Sequence, residues 1–108
     1  TLDEMRSVVC FAGHTHVPVT ILRLADDPRT AYTVDPELRL DEVRRAFVNV
    51  GAVGQPRDED SRAAYAHFDS DKGLITIRRV EYDIAREAAR IRAAGLPGVL
   101  ADRLFLGV

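Results

Sequence analysis

A short apolar run that ends in Gly-His-Thr-His constrains this chain more than any other stretch of its sequence. Residues 8–12 are continuously apolar, and Gly13-His14-Thr15-His16 follows directly. An apolar run of this length bounded by glycine is typical of a strand buried on both faces in an α/β sheet. In open α/β sheets, ligands bind in the crevice beyond the carboxyl ends of the strands. The run therefore predicts a buried strand that presents two imidazoles at such an end.

His14 and His16 are candidate metal ligands. Neutral imidazole is the commonest protein ligand for metals and suits zinc and the other divalent first-row ions. Gly13 lets the backbone leave the strand sharply and Pro18 fixes it shortly afterwards, so the loop between them is stiff. A catalytic metal site takes at least three protein ligands as a rule, so further ligands have to come from elsewhere. The alternative stays open that one histidine caps the strand by bonding to a loop carbonyl while the other is merely exposed.

Length and composition set the limits on what the chain can be. Its 108 residues make one domain or part of one. It begins with Thr1, so we expect that it is cut from a longer protein. The net charge of −2 and the aromatic content of 6% predict no general affinity for nucleic acid. No apolar stretch approaches the roughly 20 residues that span a bilayer, so no membrane partner is expected. Cys10 is the only cysteine, which excludes an internal disulfide, and no signal peptide is visible, so the expected location is the cytoplasm.

Alternation and turn residues predict a strand-rich chain. A helix tail is expected first, and residues 35–45, which contain Pro36 and many charges, are expected to form a surface excursion. Two antiparallel hairpins are expected, over 19–34 and 63–82, and in the second Arg78 with Arg79 breaks the alternation and suggests a bulge or an edge strand. The helix tail is expected over 2–6, and the later strands over 19–24, 30–34, 46–50, 63–69 and 74–82.

Two helices are predicted at the end of the sequence. Asp83 is a favourable N-cap, and Ile84, Ala88 and Ile91 fall on one helical face. Gly95 and Pro97 are expected to end that helix, and a further short helix is expected over 99–104. Strands dominate and a helix covers one face, which indicates an α/β layered fold or the sheet-rich half of one.

Three groups of motifs resemble one known family in their order and spacing. The first is GHTHVP at 13–18, the second is FVNVGAVGQPR at 47–57, and the third combines the hairpin that ends near Tyr82 with IRAAGLP at 91–97. Together they resemble the C-terminal half of calcineurin-like metallophosphoesterases, and most of all the small bacterial phosphodiesterase branch. Ala52 stands where this family usually has serine, so any hydroxyl contact at that position is lost.

The resemblance implies a fold and a metal centre. The α/β fold would be part of a two-sheet sandwich with flanking helices, in which residues 1–108 form the C-terminal part of a single domain and the N-terminal part is absent. His14 would bind one of two divalent metal ions and His16 the other, with the identity open among Mn, Fe, Zn, Ni and Co. The family's remaining ligands lie in upstream motifs that this chain does not contain.

The resemblance also implies a function. The complete protein would be a hydrolase that cleaves phosphodiester or phosphomonoester bonds of a small phosphate-ester substrate, by attack of a metal-bound hydroxide on phosphorus, whereas this chain alone is expected to be inactive. No residue of the chain is assigned as catalytic. Arg57 is the candidate substrate-binding residue because a guanidinium can clamp two phosphate oxygens. The alternative for Arg57 is a salt bridge to Asp58 or Asp60 that holds the loop.

Two other hypotheses stay open. An inactive protein-binding scaffold of the same fold is one alternative, because a retromer subunit keeps a Gly-His-Thr-His stretch and serves as a scaffold. In the other, the histidine pair is structural in a different fold. Asn49 at a strand end is expected to satisfy loop backbone, and His67 is expected on a hairpin surface rather than in a ligand set. The sequence leaves open whether copies of the chain associate into a homo-oligomer.

Overall fold

A computed structural model describes residues 2 and 5–108 of the chain and contains two β-sheets and two helices. The elements are β1 (Val9–Ala12), β2 (Val19–Leu24), β3 (Thr30–Thr33), β4 (Glu37–Arg39), β5 (Val43–Asn49), β6 (Ala63–Asp69), β7 (Leu74–Val80), α1 (Ile84–Ala93) and α2 (Gly98–Leu106). The α/β class predicted from the sequence is therefore confirmed. The helix tail expected over 2–6 includes residues 3 and 4, which lie outside the described residues.

The first sheet brings the candidate histidine loop beside a second loop. Its strand order is β1-β5-β2-β3, with β2 antiparallel to both of its neighbours. This pairing confirms the hairpin predicted over 19–34. β1 and β5 run parallel, and their last residues, Ala12 and Asn49, lie opposite each other. Both strands end at the same edge of the sheet. The loops that follow them, the histidine loop (residues 13–18) and the loop of residues 50–62, therefore leave the sheet side by side.

The second sheet corrects two sequence predictions. Its order is β4-β7-β6, entirely antiparallel, which confirms the hairpin predicted over 63–82. The surface excursion predicted over 35–45 is wrong in part, because β4 and the start of β5 lie in it. Leu38 explains β4, since its side chain packs against the core between two exposed charged residues. The bulge or edge strand predicted at Arg78 and Arg79 is also wrong, because the register of β6 and β7 is regular and β7 is the central strand of this sheet. Arg79 interrupts the apolar pattern because its half-buried guanidinium pairs with Asp58.

Side chains from both sheets form one hydrophobic core. Leu22, Ala46 and Val48 come from the first sheet and Ile75 from the second. All four are less than 9% exposed. Burying such side chains stabilises the fold by about 1.5–3 kcal/mol for each large aliphatic residue. The two sheets are thus held together through this shared core.

The prediction that the first strand is buried on both faces is wrong. Val8 and Phe11 are 45% and 43% exposed, and Cys10 is only half-buried. The physical reason is that β1 is the edge strand of its sheet, with β5 on one side only, and that Phe11 lines an open groove. An apolar run predicts burial, but the sequence cannot tell whether a neighbour is present on both sides.

The two helices match their predicted signals. The Asp83 carboxylate accepts a hydrogen bond from the backbone N–H of Arg86 at 3.0 Å, which confirms the N-cap. The predicted apolar face of α1 is buried at Ala88 and half-buried at Ile84 and Ile91. α2 is longer than the predicted 99–104. None of the helices in the described part of the chain is long and apolar enough to cross a membrane.

The end of α2 docks on the loop that precedes β6. Gly107, at the C-cap of α2, has a left-handed φ of 69°. A Cβ atom at Gly107 would lie 2.7 Å from the backbone carbon of Asp60, and the carbonyl of Gly107 accepts a hydrogen bond from the N–H of Glu59 at 2.8 Å. Only glycine fits at this contact. The helical pair is thereby fixed to the same loop that carries the candidate Arg57.

Candidate functional site

The loop after β1 holds both histidines in an unusual backbone conformation. His14 has a φ of 84° and His16 a φ of 63°, and Glu59 is the only other non-glycine residue with positive φ in the described ranges 2 and 5–108. A left-handed backbone costs an L-residue roughly 1–2 kcal/mol. Such conformations persist only where the surroundings fix them, and they cluster at functional sites. The contacts that fix this loop are therefore the first thing to identify.

His16 is held through one ring nitrogen. Its Nδ1 lies 2.8 Å from the backbone carbonyl oxygen of Gln55, in a half-buried environment. A carbonyl can only accept, so Nδ1 carries a proton, and in the neutral ring Nε2 is then the nitrogen with the lone pair. The backbone N–H of Arg57 also donates to the carbonyl of His16 at 3.1 Å. A metal-bound histidine makes the same kind of bond to a carbonyl through its other nitrogen.

This hydrogen bond is common to both readings of the histidine pair. A bond from one histidine to a loop carbonyl, with the other histidine exposed, is what the strand-capping alternative expects, and His14 is indeed exposed. The same bond leaves Nε2 of His16 available to a cation. The assignment of His14 and His16 as ligands stays a prediction.

Asn49 joins the two loops. Its side chain is buried at 5% exposure. The amide nitrogen donates to the carbonyl of Gly13 at 2.9 Å and to Oγ1 of Thr15 at 2.8 Å. The amide oxygen accepts from the N–H of Gly51 at 3.0 Å. The prediction that Asn49 satisfies loop backbone is confirmed, and the partners include the residues on both sides of His14.

Gly51 lies where the two loops touch. It has a φ of 82°, and a Cβ atom there would lie 2.7 Å from Cγ of Pro18 and 3.0 Å from Cβ of Ala64. Both the backbone conformation and the space therefore require glycine. At Gly51 the neighbour is the histidine loop itself, through Pro18.

Arg57 is exposed and makes a contact that the sequence did not indicate. Its Nη2 donates to Oε1 of Gln55 at 2.6 Å. The salt bridge expected as an alternative, to Asp58 or Asp60, is wrong, because those carboxylates are engaged by other arginines. The guanidinium of Arg57 thus donates to the side chain of Gln55, the residue whose backbone carbonyl also bonds His16. Its role in binding substrate stays a prediction.

The two aspartates after Arg57 belong to a separate ionic cluster. Asp58 pairs with Arg79, and Asp60 pairs with Arg62 at 2.8 Å and lies 3.7 Å from Nε of Arg79. The hydrogen bonds from Arg62, aided by the charge of Arg79, lower the pKa of Asp60 to about 2 despite an opposing effect of burial. These side chains line a cavity of about 450 Å³. Their carboxylates are neutralised by arginine.

The histidine pair does not form a complete metal site by itself. Among the residues that the structure describes, no three His, Cys, Asp or Glu side chains lie close enough to hold a metal ion together. His67 is exposed on β6 opposite Thr76, as the sequence indicated. A metal at His14 or His16 would therefore need ligands beyond the described residues.

Sequence reasoning missed the part played by Gln55. Its side chain bonds Arg57 and its backbone carbonyl bonds His16, which makes it the link between the two loops. A backbone carbonyl leaves no trace in residue type, so only the structure could identify that bond. The side-chain contact had a weak signal, because residues two apart in an extended segment point to the same side.

Comparison with known proteins finds chains that are similar over nearly the whole of this sequence. No protein-family model matches this chain. It is 38% identical over 97 residues to an uncharacterized protein from Methanocaldococcus jannaschii, in an alignment that covers 90% of this chain and 38% of that protein. The structure superposes on the crystal structure of a metallophosphoesterase from Sphaerobacter thermophilus with a TM-score of 0.80 and 42% identity, covering 96% of this chain and 43% of that one. The chain thus spans about two fifths of the length of the proteins it matches.

Proposed function

Because this chain belongs to the calcineurin-like metallophosphoesterase superfamily, we propose that it is part of a metal-dependent phosphoesterase that hydrolyses small phosphodiester or phosphomonoester substrates in the cytoplasm. The likeness to a metallophosphoesterase over 96% of the chain supports the reaction class. The observation that carries the proposal is the histidine loop, with both histidines in a left-handed conformation and Nδ1 of His16 engaged.

His14 and His16 are proposed to bind one divalent cation each, from the set Mn, Fe, Zn, Ni and Co. The fixed tautomer of His16 supports this, because it leaves Nε2 unprotonated. When bound, two such cations lower the pKa of water and neutralise charge on the phosphoryl oxygens. The role of this chain is to hold the two imidazoles, while the further ligands are proposed to come from polypeptide outside it.

Residues 1–108 are proposed to form the C-terminal part of a single domain that an N-terminal part completes. An open apolar side supports this proposal. β1 and β6 are edge strands of their sheets, and the rings of Phe11 and Phe68 lie 5.7 Å apart between them. With Val53 and Tyr65, these rings help to line a groove of about 310 Å³. All four side chains are between 38% and 65% exposed.

The N-terminal part of the domain is proposed to occupy this groove. The matched proteins are more than twice as long as this chain, which covers 38% and 43% of them. Exposed apolar patches of this kind mark interaction sites, and edge strands accept further strands. The same division leaves the metal ligands incomplete, so the chain alone is proposed to be inactive.

Arg57 is proposed to contact a phosphate oxygen of the substrate. Its guanidinium is exposed, and its present partner is the neutral amide of Gln55 rather than a carboxylate. Exchanging a neutral amide for a phosphate needs no ion pair to break. Replacement by lysine keeps the charge and removes the bidentate geometry, so Arg57→Lys should raise KM more than it lowers kcat. An unchanged KM in Arg57→Lys and in Arg57→Gln would remove Arg57 from the proposal.

The proposal is tested with the full-length protein on bis(para-nitrophenyl) phosphate in the presence of Mn²⁺. We expect hydrolysis that a chelator abolishes, and a loss of at least about 100-fold in His16→Ala. His67→Ala is the matched control, since His67 is an exposed histidine on β6 outside the loop, and it should hydrolyse the ester at the normal rate. Metal-independent hydrolysis would contradict the proposed metal dependence. The absence of hydrolysis over a panel of esters and metals would contradict a phosphoesterase and favour the protein-binding scaffold.

A further inference from the structure

Every hydrogen-bonding group of the Asn49 side chain is used to hold the histidine loop against its neighbour. Asn49 is the last residue of β5, beside Ala12 at the end of β1. The amide donates one hydrogen bond to the carbonyl of Gly13 and one to Oγ1 of Thr15, and it accepts one from Gly51. Buried at 5% exposure, this amide has little solvent to compete for its partners.

The positions of these partners matter more than their number. Gly13 and Thr15 lie on either side of His14, and Thr15 directly precedes His16. The amide therefore holds the backbone of Gly13 before one strained residue and the side chain of Thr15 between the two strained residues. Residues in the left-handed region keep that conformation only where their surroundings determine it. Asn49 is the buried side chain that supplies this restraint to the segment 13–15.

We propose that Asn49 is a positioning residue, which holds His14 and His16 in the backbone conformation that metal binding requires. This inference rests on the proposed function, because it takes the two histidines to be metal ligands. Asn49 itself does not bind the metal, since its amide oxygen and both of its amide N–H bonds are engaged by the protein. Its effect is to order the loop before the metal arrives. Removal of partners in this outer layer weakens metal affinity by about 10–100-fold.

The test is calorimetric titration of the metal-free full-length protein with Mn²⁺. Asn49→Leu keeps a side chain of similar size and removes all three hydrogen bonds, so its Mn²⁺ affinity should fall by about 10–100-fold. Thr15→Val removes one acceptor and should weaken binding by a smaller factor. Thr15→Ser keeps the hydroxyl and should bind as the wild type does. Ile75→Val is the control, because it removes a methyl group from the hydrophobic core and no hydrogen bond from either loop.

The outcomes separate this inference from the proposed function. Wild-type protein that binds no Mn²⁺, or binding that is unchanged in His16→Ala, overturns both. Binding that depends on His16 but is unaffected by Asn49→Leu overturns the positioning role alone. Equal losses in Asn49→Leu and Ile75→Val also overturn it, because affinity would then follow general stability. If Asn49→Leu does not fold, the difference between Thr15→Val and Thr15→Ser decides, and the absence of a difference refutes the inference.

Discussion

Replacement of Gly51 by alanine should destabilise the protein through two independent effects at one atom. Gly51 has a φ of 82°, which costs a residue with a Cβ roughly 1–2 kcal/mol. The added methyl would lie 2.7 Å from Cγ of Pro18 and 3.0 Å from Cβ of Ala64. Real carbon atoms do not approach so closely, so Pro18 or the strand that carries Ala64 has to move, at about 1–3 kcal/mol for an overpacked site.

The magnitude follows from adding these effects and subtracting one gain. Alanine restricts the unfolded chain more than glycine does, which stabilises the folded state by about 0.4–1 kcal/mol. The net loss is therefore about 1–5 kcal/mol in the free energy of unfolding, with a middle value of about 3 kcal/mol. In a domain of roughly 150–250 residues that middle value lowers the thermal midpoint by roughly 6–12 °C. Because Pro18 is the last residue of the histidine loop, the loss of stability should be accompanied by weaker metal binding.

Gly54 provides the matched control in the same loop. A Cβ atom at Gly54 meets nothing within 4 Å, and its φ lies outside the left-handed range. Thermal unfolding of the full-length protein should show Gly54→Ala within about 1 kcal/mol of the wild type, on the stabilising side. Equal midpoints for Gly51→Ala and Gly54→Ala would refute the close contact between the two loops.

Two further predictions concern the ionic cluster and the first helix. Arg62 lowers the pKa of Asp60 to about 2, so this pair stabilises the fold above pH 4 and the stabilisation is lost as the pH falls towards 2. Asp60→Asn should lower the free energy of unfolding by about 1 kcal/mol at pH 7, and a difference that stays constant in urea titrations down to pH 2 would contradict the cause given. Asp83→Ala should cost about 1 kcal/mol by removing the cap on the N–H of Arg86, whereas Asp83→Ser should recover most of it; equal urea midpoints for the two variants would contradict the cap.

Local signals in the sequence were sufficient to predict most of the helices and strands. The hairpins could be predicted because alternation and turn residues act over a few positions, and α1 because Asp83 and Gly95 mark its ends. The sequence could not show that Leu38 forms a three-residue strand, since so short a segment has no period. The exposure of Phe11 could not be predicted from the sequence either, because it depends on which elements pack against β1.

The candidate site could likewise be predicted only where its features depend on local sequence. Residue type and spacing identified His14 and His16, and the position of Asn49 at a strand end indicated its bonds to the loop. The left-handed backbone of the histidines, and the carbonyl of Gln55 that fixes His16, depend on how two loops meet across the sheet edge. The same holds for Asp58, the half-buried partner of Arg79, which is remote from it in sequence. Contacts between distant segments leave no local pattern.

The central claim is that His14 and His16 each hold a divalent cation in the complete protein. The measurement that tests it most directly is the metal content of the purified full-length protein, determined by elemental analysis alongside His14→Ala and His16→Ala. We expect about two equivalents of divalent metal per chain in the wild type, and a loss of at least one of them in each variant. Wild-type protein without bound metal, or variants that retain the full content, would contradict the claim.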